Sequence, residues 1–504
     1  MDEPVKKLRV KNAGIYFWAI PIFLFAVALR AAAGLLFPNI IWPDEIFQTL
    51  EPAHKLAFGN GITSWEWEAG VRSWIYPGIL AVMMKITAWM GNGSSGYMTA
   101  IILFNSILSA SLVLVVFFRG LGKGSLQGAV VASMVCAVWF ELLFFGPKAL
   151  TEVVATYLMI AGLFLSGPGL DDGKKPAIIA GAFLLGLSSC LRIQLLPATV
   201  LTVVCMAVLH RKKVIVLFAG FAAAFLIAGM LDWLTWSYPF QSFVLYFKVN
   251  IIDDIAKSYG TKTWSGYFSV MLDVWGWFLP AILILALIGA RRNFMLFIAD
   301  AAVMITHVLI PHKEYRFIFP SIAMTIVLAA LGTGEIISMI QRRSNRAWIA
   351  IAASIIAVSA WTAASFTLSR DYTCNKTDMT PFITMIPGIS NWERINGHIR
   401  TMDLLSTDDA ACGLALSGNR IYKIDVYATG GFSHLHKKIP LIRGHDPVSL
   451  KNKSAYFNRI LAPCEGSPGI EGFNLSERFS DGSCLYVSDK GCEKLSDDNV
   501  NRFY

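Results

Sequence analysis

"IWPDEIFQTLEPAHKLAFGNGITSWEWEAGVRSW" (residues 41–74) sets Asp44, Glu45, Glu51, Glu66, Glu68, His54 and Arg72 between stretches greasy enough to dissolve in lipid. "IYFWAIPIFLFAVALRAAAGLLF" (15–37) precedes it, and apolar runs resume after it and recur as far as "WIAIAASIIAVSAWTAASFTL" (348–368). A helix of about 18 or more apolar residues crosses the roughly 30 Å hydrocarbon core of a bilayer. Only 15% of the 504 residues are charged and 55% are hydrophobic, whereas a soluble chain carries about a quarter charged residues. Mean hydropathy is +0.55. These numbers define a polytopic α-helical membrane protein. The first run is too long for a signal peptide and lacks a small-residue cleavage site, so it is expected to be a retained span.

Net charge is +9, but the basic residues form no single patch, which argues against nucleic acid as a partner. They fall in short clusters between apolar runs, the pattern of cytoplasmic loops. The clusters are "KKLRVK" (6–11), "RGLGK" (119–123), "DDGKK" (171–175), "HRKK" (210–213), "RR" (291–292) and "QRRSNR" (341–346). Holding all six inside predicts eleven spans, at about 14–36, 97–118, 126–145, 151–167, 177–190, 195–209, 214–236, 268–289, 293–310, 318–340 and 347–368. "WIYPGILAVMMKITAWM" (74–90) holds Pro77 and Lys85, and counting it as a span would reverse every later loop. It is expected to lie at the outer interface. The first outer loop is then 37–96, and the chain divides into a membrane part, 1–368, and an extracytoplasmic part, 369–504. The latter has soluble composition, with "GLALSG", "KIDVYATGG" and "SCLYVSD" reading as strands of a small α+β domain.

On this topology the polar residues crowd one face. After Pro43, a good first-turn residue, a helix of about 3.6 residues per turn puts Asp44, Gln48, Glu51 and Lys55 on one side. Ile46, Leu50, Ala53 and Ala57 fall on the other. The expected result is an amphipathic helix on the outer membrane surface. "SWEWEAGVRSW" (64–74) adds Trp65, Glu66, Trp67 and Arg72 as candidate substrate contacts, the two tryptophans as a wall for a sugar ring or prenyl chain or as interfacial anchors. "PHKEYRF" (311–317) packs His312, Lys313 and Arg316 into a short outer loop against the positive-inside bias, an arrangement suited to phosphate. Arg192, Lys148 and Lys248 are further outer cations. Carboxylates that accept a hydroxyl proton, beside cations that stabilise a departing phosphate, describe an outer-face transferase using a lipid phosphate.

Of the eight cysteines, Cys136, Cys190 and Cys205 lie in apolar runs, and Cys374, Cys412, Cys464, Cys484 and Cys492 lie in the tail. Outside the cytosol, one or two disulfides are expected there, with connectivity left open. Spacings typical of a metal site are absent from the sequence.

"WPDEIFQTLEPAHKLAFGNGITSWEWEAGVRSWIYP" resembles the first-loop signature of the lipid-linked mannosyltransferases of glycosyltransferase family 22. "PHKEYRFIFP" is similar to that family's His-Lys-Glu-x-Arg-Phe motif, "GPKALTEV" sits where its second outer motif falls, and "YATGGFSHLHKKIPL" (427–441) resembles the C-terminal part of the members that build GPI anchors. The resemblance implies a GT-C fold and a polyprenyl- or dolichyl-phosphate-mannose donor. It also implies inverting transfer to a lipid-linked glycan or glycolipid, with no required metal or other cofactor. It assigns Asp44 as general base and Glu45 as a neighbour that orients acceptor or base, and Gln48, Glu51, Trp65, Glu66, Trp67 and Arg72 of the same loop are expected about the substrates. His312, Lys313, Arg316 and Arg192 would hold the donor phosphate. Trp42 stands where the family usually has His. The short loops and basic N-terminus resemble a bacterial member, implying an inner-membrane enzyme that faces the periplasm, with the endoplasmic reticulum lumen as the alternative. A different donor sugar keeps the same site. A lipid-linked sugar transporter would need polar residues through the bundle, not along one face.

Overall fold

A computed structural model describes residues 12–90, 94–344, 346–377, 379, 389–417, 431–444, 450–464 and 470–494. Each of the eleven expected spans falls on helix. Among the described residues, seven helical segments are long and apolar enough to cross a membrane, and the other apolar helices are shorter, at 10–17 residues. The basic cluster at 6–11 and the strand expected over 423–431, apart from its final glycine, lie outside the described residues.

Phe319–Arg343 is the axial helix, buried along most of its length, while Ala347–Arg370 runs along the rim. It lies against Leu279–Ala290 at a seam where Gly289 meets the Leu328 carbonyl and Gly332 meets that of Leu285. A Cβ at either position would clash with backbone, so the seam requires glycine. With no hydrophobic force between helices in lipid, such close backbone approach is what holds them together.

Two expected spans are broken. The run 126–145 divides into Leu126–Val138 and Phe140–Phe145, with Trp139 in extended conformation between them. The break frees carbonyls that lipid cannot solvate. Arg30, fully buried in the helix Asn12–Leu36, donates to the carbonyls of Cys136 at 3.0 Å and Ala137 at 3.5 Å, and Ser365 donates to that of Val138 at 2.7 Å. The run 268–289 divides into Gly266–Trp275 and Leu279–Ala290 at Gly276, whose φ is +51°.

The two ends of the bundle are chemically distinct. At one end Arg119 donates to Asn293 at 2.7 Å, and Arg292 pairs with Glu335 at 3.1 Å and with the Lys123 carbonyl. Clusters expected on one side thus meet. At the other end lie Asn39, where the first helix stops, and Tyr97, near the start of Ser94–Lys123, which donates to the Ser433 carbonyl of the tail. The chain therefore leaves and re-enters the bundle on one face, and the intervening helix Ile75–Trp89 makes no net crossing.

Among the described residues the tail carries a five-stranded sheet of order β2-β1-β3-β5-β4, formed by β1 (Leu414–Ser417), β2 (Leu441–Gly444), β3 (Arg459–Pro463), β4 (Asn474–Arg478) and β5 (Ser483–Val487). β1 is parallel to β2 and β3, and β5 is antiparallel to β3 and β4. The strands expected at 413–418 and 483–489 are β1 and β5. Disulfides join Cys412 to Cys492 and Cys464 to Cys484.

Candidate active site

Asp44 precedes a π-helix, Glu45–Leu50, which passes into the α-helix Glu51–Phe58. π-turns are rare and gather at functional sites. The i→i+5 winding puts extra residues in each turn, so the faces drawn with an α period slip. Asp44 and Gln48 stay together, whereas Glu51 turns away. The helix does not lie open on the membrane surface either. Ile46, Leu50, Ala53 and Ala57 are buried as expected, but so are Glu45 and Thr49 against residues 148–149, Gln48 against Glu66, and Glu51 and His54 under the tail. Lys55 alone of the expected polar face is exposed.

Arg316 brings the first and third motifs together. Its Nη2 donates to Asp44, its Nη1 to Glu152 Oε1 at 2.7 Å and its Nε to Glu314 Oε2 at 2.7 Å. Arg192 Nη1 lies 3.8 Å from Glu152, and the Arg192 guanidinium sits 5.1 Å from the Phe317 ring centre. His312 Nδ1 donates to the Gly260 carbonyl at 2.8 Å and Nε2 faces Glu314 at 3.1 Å. Three carboxylates therefore meet two guanidinium groups and one imidazole. Burial works against charge on Glu314, yet Arg316 and His312 hold its carboxyl down at about 2. Burial pulls His312 down, and its bond and charge contact with Glu314 more than offset this, raising it above its ordinary value. Asp44 is raised by burial, against the opposing pull of Arg316.

Lys313 is placed differently. Its ammonium donates to the carbonyls of His307 at 3.2 Å and Val308 at 2.8 Å, closing the end of the helix Phe294–Leu309. Behind the motif, Tyr315 donates to Glu141, which also receives the indole N–H groups of Trp139 at 2.9 Å and Trp275 at 2.8 Å. The broken helix at Trp139 thus anchors the loop that carries Arg316.

Two clefts flank the π-helix. The first, of about 50 Å³, is lined by Gln48, Arg72, Thr151, Arg192, Gln194 and Tyr246, among others. Arg72 pairs with Glu66, which also accepts from Gln48 at 3.3 Å, and lies 5.5 Å from the Tyr246 ring centre. The second, of about 140 Å³, lies on the Glu45 side. There Glu45 accepts from the Ala149 N–H at 2.9 Å and lies 3.6 Å from the Lys148 ammonium. Burial drives Glu45 up and Lys148 down, each opposed by the other.

The structure therefore gathers Asp44, Arg192, His312 and Arg316 about one ionic cluster, with Gln48, Glu66 and Arg72 on the adjoining cleft. It places the remaining candidates elsewhere. Trp67 is buried, donating to the Phe47 carbonyl at 3.1 Å and packing 4.4 Å from Trp74 and 6.1 Å from Trp236, ring centre to ring centre. Trp65 is 39% exposed. Glu51 accepts from the N–H groups of Ile62 and Ser433, both at 2.7 Å, which ties the segment after the first helix to the tail. Glu152, Glu314 and Glu141 are the acids the sequence reading passed over. The first two stood inside quoted motifs, and Glu141 signalled itself only as a charge within an apolar run. Among the described residues, His, Cys, Asp and Glu form no group able to hold a metal ion.

Solved structures share this architecture. The undecaprenyl-phosphate-bound ArnT of Cupriavidus metallidurans matches over 94% of this chain and 98% of its own, with a TM-score of 0.54 at 9% identity. The Archaeoglobus fulgidus oligosaccharyltransferase in complex with zinc and sulfate matches over 93% and 73%, at 0.50 and 12%. The fold is thus that of the GT-C membrane glycosyltransferases. The model of the Alg9-like mannosyltransferase family matches residues 21–386, and the chain belongs to that family. It is 27% identical over 323 residues to the Bos taurus GPI alpha-1,2-mannosyltransferase 3, covering 61% of this chain and 58% of that protein. It is 27% identical over 356 residues to the Yarrowia lipolytica GPI mannosyltransferase 3, covering 64% of each. The chain thus matches about three fifths of the length of these relatives.

Proposed function

We propose that this protein transfers mannose, with inversion, from a polyprenyl-phosphate donor (undecaprenyl or dolichyl) to a hydroxyl of a lipid-linked glycan or glycolipid. The reaction runs on the face of the membrane away from the cytosol, the periplasmic face of a bacterial inner membrane or the lumenal face of the endoplasmic reticulum. Asp44 removes the proton from the acceptor hydroxyl, whose oxygen attacks the anomeric carbon, and the lipid phosphate leaves with the bonding pair. Glu45 fixes the backbone beside Asp44 through Ala149 and Lys148. Arg192 meets the leaving phosphate on the cleft, with Arg316 and His312 as the cationic wall behind it and Lys313 holding the loop in place. Gln48, Glu66 and Arg72 line the sugar's approach. The names of the relatives specify a GPI acceptor and an α-1,2 linkage, and the same class of acceptor, a glycolipid, is our reading here.

The observation that carries this reading is the ion pair between Asp44 and Arg316. It joins the two motifs to one centre, and the guanidinium opposes the burial that disfavours the Asp44 carboxylate, the form a base requires. The test is purified protein with radiolabelled polyprenyl-phosphate-mannose and candidate glycolipid acceptors. Asp44→Asn keeps the shape and the bond to Arg316 but cannot take a proton, so transfer falls by about 10²–10⁴ while donor binding persists. Undiminished transfer by Asp44→Asn sinks the assignment.

A further inference from the structure

The cleft on the Glu45 side has no part in the ionic cluster. Its walls are apolar, built from Leu35, Met98, Ile102, Phe144, Trp392 and neighbours between the ends of the helices Asn12–Leu36 and Ser94–Lys123 and the helix Asn396–Thr407. Leu35 and Phe37, which also line it, are 43% and 47% exposed, so the cleft opens sideways where lipid chains lie. Its polar lining includes Asn39, Glu45, Lys148, Asp403 and His434, and two acceptor oxygens there have no partner among the described residues. Asn39 is 6% exposed, and its Oδ1 is buried without a partner among the described residues. The amide orientation is fixed, because Nδ2 donates to the Phe37 carbonyl at 2.8 Å. Asp403 Oδ1 is likewise without a partner among the described residues. The one lysine, Lys148, is engaged by Glu45 and by the Asn39 carbonyl.

A buried acceptor without a donor is costly and asks for one. Two acids and an open amide oxygen would repel a phosphate, which finds its cations on the other cleft at Arg72 and Arg192. The occupant that fits carries hydroxyl donors on its head and apolar chains behind it. We infer that this cleft seats the acceptor, a glycolipid whose chains emerge between Asn12–Leu36 and Ser94–Lys123 and whose head donates a hydroxyl to Asn39. This rests on the transferase reading above. It divides the two substrates between the two sides of one π-helix, the donor on the Gln48 side and the acceptor lipid on the Glu45 side.

Two variants test it. Asn39→Leu removes the orphan oxygen at nearly constant shape, and Thr99→Trp fills the cleft from its wall. Each raises the KM for a glycosylated diacylglycerol acceptor by about tenfold or more, the equivalent of about one lost hydrogen bond. Each leaves the KM for the polyprenyl-phosphate-mannose donor within about twofold, a split that a general loss of structure would not produce. An equal rise in both constants, or an unmoved acceptor KM, overturns the proposal. Binding is read separately with the same glycolipid carrying a diazirine in one acyl chain. Crosslinks map to Met98, Ile102 or Trp392 in the wild type and disappear in Thr99→Trp. Crosslinks that persist in Thr99→Trp refute the cleft. Crosslinks that vanish as expected, in a protein that transfers no mannose, uphold the cleft and overturn the transferase reading.

Discussion

Arg316→Lys is the perturbation that most directly interrogates the centre. Arg316 is 3% exposed at its side chain and makes three charge-assisted bonds, to Asp44, Glu152 and Glu314. A lysine keeps the charge but offers a single ammonium, and the planar fork that reaches three carboxylates is lost. Two such bonds at about 1.5–3 kcal/mol each give about 3–6 kcal/mol. Asp44 is 28% exposed and its share must be discounted for solvent, which leaves roughly 3–5 kcal/mol, the range for breaking a buried pair. Glu152→Gln should cost less, about 1–2 kcal/mol, because the amide oxygen still accepts from Arg316 while Asp44 and Glu314 keep their bonds. Thermal unfolding of the purified protein in detergent reads this order, with Arg316→Lys lowering the apparent Tm by roughly 3–5 °C and Glu152→Gln by less. A lysine variant that melts with the wild type refutes the hub, as does a glutamine variant that is the less stable of the two.

The remaining predictions concern the tail and the topology. Reducing the disulfides should loosen the tail selectively. In the chain-entropy account the Cys412–Cys492 link, closing 80 residues, contributes about 4.5 kcal/mol and Cys464–Cys484, closing 20, about 3 kcal/mol. Limited proteolysis should therefore cut beyond residue 411 sooner in Cys412→Ser than in Cys464→Ser, and the reverse order would contradict this. Burial lifts the Glu51 carboxyl from 4.5 to about 7, against the N–H bonds from Ile62 and Ser433. A carboxyl raised on folding contributes stability that is present below its unfolded value and lost as pH rises through its folded one. The excess Tm of wild type over Glu51→Gln should therefore shrink between about pH 5 and pH 8, and a constant difference would remove Glu51 from the account. A cysteine at Ser95, exposed and on the tail side of the bundle, should react with an impermeant thiol reagent from outside sealed cells. Protection at Ser95 with labelling at Gly122 would invert the topology.

Much of the bundle was legible because lipid leaves the chain few options. Eleven apolar runs, sorted by where the basic residues fall, became helices at nearly the expected bounds. The break at Trp139 was not legible, because it depends on Arg30 arriving from another helix to satisfy the freed carbonyls. The site divides in the same way. Residue types and the crowding on one face pointed to Asp44, His312 and Arg316, but their arrangement about a shared guanidinium spans 272 residues of sequence. Glu152 and Glu314 were concealed by their own motifs, since beside cations they read as incidental. Glu51 illustrates an error of phase. An α-helical wheel sets it beside Asp44, but the π-turn between them rotates it under the tail, where Ser433 and Ile62 consume its lone pairs.

Two acids stand side by side at the start of the helix, and they serve different partners. Consecutive residues on any helix point in different directions, so Asp44 and Glu45 cannot serve one substrate group as a pair. Asp44 reaches Arg316, and Glu45 reaches Lys148 and the Ala149 N–H on the opposite side. Thr49, one turn on, donates to the Ala149 carbonyl at 2.7 Å, so residues 148–149 grip the π-helix from behind while Arg316 grips it in front. In the proposed reaction Asp44 takes a proton from a fixed place, and a helix held on both faces suits that role. Loosening the rear grip with Lys148→Met should therefore lower kcat through Asp44 and leave the donor KM nearly unchanged. Removing the cation on the first cleft with Arg192→Met, which leaves both grips in place, should raise the donor KM. Identical kinetic defects in the two variants would mean that the helix does not separate the two roles, and the division of labour between Asp44 and Glu45 would have to be abandoned.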